Sequence, residues 1–91
     1  MPHGRTIRFR IICDRRKTEG HDRVMELLAV RSIIPDFHFK SMVDSDRLAL
    51  EIVIRDQRLW ARSLAQLFSR IPSVVAVELE INAERVDFSG K

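Results

Sequence analysis

Phe37-His38-Phe39-Lys40-Ser41-Met42-Val43-Asp44-Ser45-Asp46-Arg47-Leu48-Ala49-Leu50-Glu51-Ile52-Val53-Ile54-Arg55 reads as two strands around a turn. In its second half Leu48, Leu50, Ile52 and Ile54 alternate with Ala49, Glu51, Val53 and Arg55. This period of two puts one side of a strand into a core. In its first half Phe37 and Phe39 alternate with His38, Lys40 and Met42, which predicts a partner strand with its phenylalanines turned inward. Asp44-Ser45-Asp46 between them is turn chemistry, because short Asp and Ser side chains bond back to nearby backbone groups.

Working toward the N-terminus, Pro35 closes whatever precedes it, since a proline pushes its predecessor out of helical angles. Val24, Leu27, Leu28 and Val30 fall on one side of a helix predicted from about His21 to Ser32. Asp22 in its first turn complements the helix dipole. The polar stretch from Asp14 to Asp22, with Gly20, reads as a loop running into that helix. Ahead of it Ile7, Phe9 and Ile11 alternate with Arg8 and Arg10, and Cys13 continues the apolar side, giving a strand at Thr6–Asp14.

Toward the C-terminus, Asp56 is suited to cap a second helix. Trp60, Leu64, Leu67, Phe68 and Ile71 share its apolar side, and Pro72-Ser73 ends it. Val75, Val77, Leu79 and Ile81 then alternate with Ala76, Glu78 and Glu80. The chain therefore divides into a disordered start at 1–5, one domain at 6–81 and a flexible tail at 82–91. The order β-α-β-β-α-β predicts a ferredoxin-like, two-layer α+β sandwich. Its antiparallel sheet has strand order 4-1-3-2 and both helices on one face.

Composition fits one packed unit. The chain has 91 residues, 45% hydrophobic and 32% charged, too apolar for disorder and long enough for one core. Apolar runs such as Val74–Val77 are far short of the ~20 residues that cross a bilayer. Met1-Pro2-His3-Gly4-Arg5 lacks the apolar stretch of a signal peptide. The expectation is a soluble domain.

The open sheet face is where partners would dock. Arg8 and Arg10 on the first strand lie between Glu78 and Glu80 on one neighbour and Glu51 on the other, and such cross-strand pairs are favourable. This surface is either a solvated salt-bridge lattice or a docking surface for a protein partner or a second copy. With Phe9, Phe37, Phe39, Trp60 and Phe68 assigned to the core, no aromatic platform is left on the central strands for stacking bases. Nucleic-acid binding is not expected.

Catalytic and metal chemistry find little footing. Cys13 is the only cysteine, so there is no thiol pair to hold a soft metal ion. No convergent carboxylate cluster suggests direct magnesium binding. An acylphosphatase-like reaction would need an Asn on the third strand, and there is none. No nucleophile–base pair is seen, so no enzyme and no cofactor are expected. Arg15, Arg16 and Gly20, between a strand end and a helix start, form a candidate loop for an anion or ligand.

The strand ending in Cys13-Asp14, the regular helix, the hairpin and the closing Arg70-Ile71-Pro72-Ser73-Val74-Val75-Ala76-Val77 together resemble an ACT domain. Amino-acid-binding members carry Asp-x-Pro-Gly after the first strand, whereas Asp14 here is followed by Arg15-Arg16-Lys17. Thr6–Asp14 is similar to the opening of the C-terminal soluble domain of the MgtC/SapB family, an ACT-like fold without the ligand glycine. That resemblance implies the cytoplasmic part of a bacterial inner-membrane virulence factor, needed for growth in low magnesium and survival in macrophages. Its partner would be its own membrane domain or another membrane protein. The alternative is an ACT domain sensing an amino acid or other small metabolite for a soluble enzyme.

Overall fold

A computed structural model of the chain describes residues 6–17, 19–55, 61–82 and 84–89. The elements are β1 (Thr6–Asp14), α1 (Glu19–Val30), β2 (Phe37–Met42), β3 (Arg47–Arg55), α2 (Ala61–Ser69), β4 (Val74–Ile81) and β5 (Glu84–Ser89). They form one sheet in the order β2-β3-β1-β4-β5, with every pairing antiparallel. The α+β, ferredoxin-like arrangement read from the alternation is present, extended by one strand. The expectations for residues 1–5, for Asp56 as a cap and for Trp60 as a core residue fall outside the described residues.

The alternating positions explain the core. Ile7, Phe9, Ile11 and Cys13 of β1, Leu50, Ile52 and Ile54 of β3, and Val77 and Leu79 of β4 are buried with Val24 and Leu28 of α1 and Leu64, Ala65 and Phe68 of α2. Phe9 and Phe68 meet edge to face, with ring centroids 5.2 Å apart at 81°, which ties α2 to the central strand. Burying an aromatic pair in this geometry adds about 0.5–1.5 kcal/mol beyond the area removed from water.

Helix α1 ends two residues earlier than the apolar spacing suggested. Ser32 takes a left-handed conformation at φ 56°, and Ile33 N–H donates to the Leu28 carbonyl while Ser32 N–H donates to that of Ala29. These two bonds form the capping motif that satisfies the last carbonyls of a helix.

Three expectations are corrected. The tail assigned to 82–91 instead holds a strand: Glu84–Ser89 pairs with β4 from Ile81↔Glu84 to Ala76↔Ser89. Asn82, at φ 51°, turns the chain, and Asn tolerates that conformation better than most residues because its side chain bonds locally. The core-facing series of β4 begins at Val74 and not Val75. A register shift between Ile12 and Cys13 leaves Val75 as an extra residue, so Val74 is buried and Val75 is 41% exposed, as a bulge requires.

Phe37 and Phe39 are the third correction. They lie 54% and 39% exposed on the open face, opposite Val53 and Glu51. Period two makes the two rings share a side but leaves open which side. Pairing Met42 with Leu48 decides it, and a slip of one residue would reverse every side chain of β2. No helix among the described residues is long and apolar enough to cross a membrane.

Candidate functional site

The open face carries a chain of opposite charges across four strands. Arg8 lies 3.8 Å from Glu51 of β3, and Arg10 lies 3.7 Å from both Glu51 and Glu78 of β4. Glu78 reaches Arg85 of β5 at 3.4 Å. Glu80 stands across from Arg8 in register without closing an ion pair among the described residues. These groups are partly exposed, so each pair contributes at most about 1 kcal/mol. The arrangement neutralises both arginines locally and offers a phosphate backbone no free basic stripe.

Beside the lattice, at the β2 edge, sits an exposed aromatic pair. The Phe37 and Phe39 ring centroids are 5.2 Å apart. Six of the seven large hydrophobic residues exposed among the described ones, namely Val30, Ile34, Phe37, Phe39, Met42 and Val43, belong to the stretch 30–43 that contains this edge strand. The exposed Phe37–Phe39 pair next to unpaired strand backbone is a surface suited to another chain. On the central strands this face presents Arg8, Arg10, Glu51 and Val53, and the exposed aromatic pair lies on the β2 edge.

The loop after β1 is held by its own aspartate. Asp14 accepts a hydrogen bond from the Arg16 backbone N–H at 3.0 Å and from the Arg16 guanidinium at 3.1 Å (Nε) and 3.2 Å (Nη2). These bonds hold the Asp14 carboxyl below the usual carboxylate range, the side-chain bond foremost. Lys17 N–H closes the turn on the Asp14 carbonyl. Arg15 leans on the hairpin, its N–H donating to the Asp46 carbonyl and its guanidinium to that of Ser45.

Of the three loop residues singled out, two are therefore occupied. Arg16 serves Asp14. Gly20 lies inside α1 and is buried, where a Cβ would stand 2.6 Å from Ser73 Oγ and 3.1 Å from Cys13 Sγ. The missing Cβ at this position lets the helix start pack closely against Ser73 and Cys13. Burial also pushes the Cys13 thiol up, away from the reactive thiolate. Arg15 borders a cavity of about 150 Å³ shared with Lys17, His21 and Lys40 over Leu48 and Leu50.

Lys40 was not singled out in the sequence. It sits opposite Leu50 in register, on the helix side of an edge strand, and the hairpin brings it to the loop. A second, more open depression of about 320 Å³ joins Asp14, Asp44 and Asp46 to Arg16 and Arg47. Among the described residues no group of three or more His, Cys, Asp or Glu side chains is placed to hold a metal ion.

No family model matches the chain, and neither does any curated protein. Among solved structures it is similar to the solution structure of the C-terminal domain of the MgtC protein from Mycobacterium tuberculosis. The TM-score is 0.71 at 16% sequence identity, over 92% of this chain and 94% of that one. The chain thus shares the fold of an MgtC C-terminal domain over 92% of its length.

Proposed function

We propose that this chain is an MgtC-like C-terminal domain: a non-enzymatic, protein-contacting regulatory module on the cytoplasmic side of a bacterial inner-membrane protein. Its role would be in growth at low magnesium and survival inside macrophages. The observation that carries this reading is the fold likeness, which covers both chains almost completely. The resemblance of Thr6–Asp14 to the opening of that domain supports it further.

The contact surface in this reading is the β2 edge with Phe37 and Phe39, bordered by the Arg8–Glu51–Arg10–Glu78 lattice. Apolar side chains left in water supply the driving force, about 25 cal/mol per Å² covered. The charged neighbours supply orientation. The partner is the membrane part of the same protein or a neighbouring membrane protein, and a second copy can use the same edge.

The coding sequence upstream of this segment tests the proposal. Several apolar stretches of ~20 residues are expected there; an upstream soluble enzyme domain would refute it. Thermal-shift screening against the amino acids addresses the metabolite-sensing alternative. Clear stabilisation by one of them would favour that alternative, against which the packed Gly20 weighs.

A further inference from the structure

We propose that the cavity between the β1–α1 loop, the start of α1 and β2 is a binding site for a phosphoryl group, held by Arg15, Lys17 and Lys40. Three elements converge there: the loop gives Arg15 and Lys17, the hairpin gives Lys40, and the sheet gives the apolar floor of Leu48 and Leu50. Lys17 and Lys40 make no ion pair among the described residues. Asp14 also borders the cavity, but its oxygens carry the hydrogen bonds from Arg16. Three permanent cations thus face the space against one carboxylate that is already matched.

The ligand class follows from this donor set. A carboxylate asks for one planar fork, whereas a tetrahedral dianion accepts donors from several directions, which ammonium groups on flexible stems supply. Arg15 is anchored by its bond to the Ser45 carbonyl, so its remaining donors are held in place. Leu50 in the floor is buried, and apolar surface beside a charge reduces its screening by water. At about 150 Å³ the cavity is smaller than the ~300 Å³ at which drug-sized pockets begin. It suits a phosphoryl group with a short substituent, carried by a small soluble molecule or by a lipid headgroup.

The site is a property of this chain's own loops and does not depend on the membrane-protein reading. The experiment is a ¹H–¹⁵N titration of the full chain with inorganic phosphate, using chloride at matched ionic strength as the control. Saturable shifts are expected at Arg15, Lys17, His21 and Lys40. Lys40→Glu should weaken binding about tenfold or more, the loss of one charge-assisted contact. Arg62→Glu, on the exposed side of α2, should leave it unchanged.

Phosphatidylcholine vesicles with and without phosphatidic acid form a second arm. Lys40-dependent co-sedimentation with the acidic vesicles identifies a lipid source. Phosphate shifts without vesicle binding identify a soluble one. Shifts that do not saturate, that spread equally to Arg62, or that survive Lys40→Glu unchanged, together with no Lys40-dependent vesicle binding, overturn the proposal.

Discussion

Gly20 and Ser73 meet so closely that a methyl group at Gly20 would stand 2.6 Å from the Ser73 hydroxyl oxygen. That hydroxyl is buried and finds no hydrogen-bond partner among the described residues. The contact locks the first turn of α1 to the turn that launches β4, and Ser73 also accepts the Asp14 N–H through its carbonyl at 2.8 Å.

Gly20→Ala is therefore expected to destabilise by about 1–3 kcal/mol, the cost of overpacking. Ser73→Ala should be neutral or stabilising by up to about 1 kcal/mol, since it removes an unsatisfied buried hydroxyl. The double variant should recover most of the Gly20→Ala loss. Urea unfolding of all four proteins measures this cycle, and strictly additive effects would show that the two residues do not press on each other.

Asn82 fastens the fifth strand to the first. Its side-chain oxygen accepts the Thr6 N–H at 3.0 Å, and its own N–H donates to the Thr6 carbonyl at 2.9 Å. Asn82→Ala loses the first bond and puts a residue without a local partner at φ 51°, so a loss of about 1–2 kcal/mol is expected. Hydrogen exchange should show faster exchange at Thr6 and across Glu84–Ser89. Unchanged protection there would count against a tether at this point.

Phe37 and Phe39 should tolerate what Phe9 cannot. On the exposed face their replacement by Ser is expected to shift stability by only about 0.5 kcal/mol each. Phe9→Ala, in the core against Phe68, should cost about 3–5 kcal/mol. Thermal unfolding distinguishes the cases: a large loss on Phe39→Ser would mean that the β2 register is the opposite one.

Asp14 should stay ionised at a lower pH than an ordinary carboxylate, because the Arg16 guanidinium and N–H bond to its charged form. With the folded value lowered, its contribution is present above the unfolded pKa and fades as pH falls through the folded one. A ¹³C carboxyl titration reads this directly. Arg16→Ala is expected to move the Asp14 midpoint up toward the usual range, and an unmoved midpoint would remove Arg16 as the cause.

The amino-acid sequence by itself determined the βαββαβ order, most of the core and the facing charges of Arg8, Arg10, Glu51 and Glu78. Local periodicity is enough for these, because the side-chain period of a strand is fixed by its backbone. Even the fifth strand had a local signal, since Arg85, Val86, Asp87 and Phe88 alternate after Asn82, but six polar-flanked residues read equally well as a tail. Only the tertiary structure decided which side Phe37 and Phe39 take, because that rests on the parity of the hairpin register. It also decided that Gly20 is a packing residue and that Lys40 joins Arg15 and Lys17, since residues distant in sequence become neighbours only through the sheet.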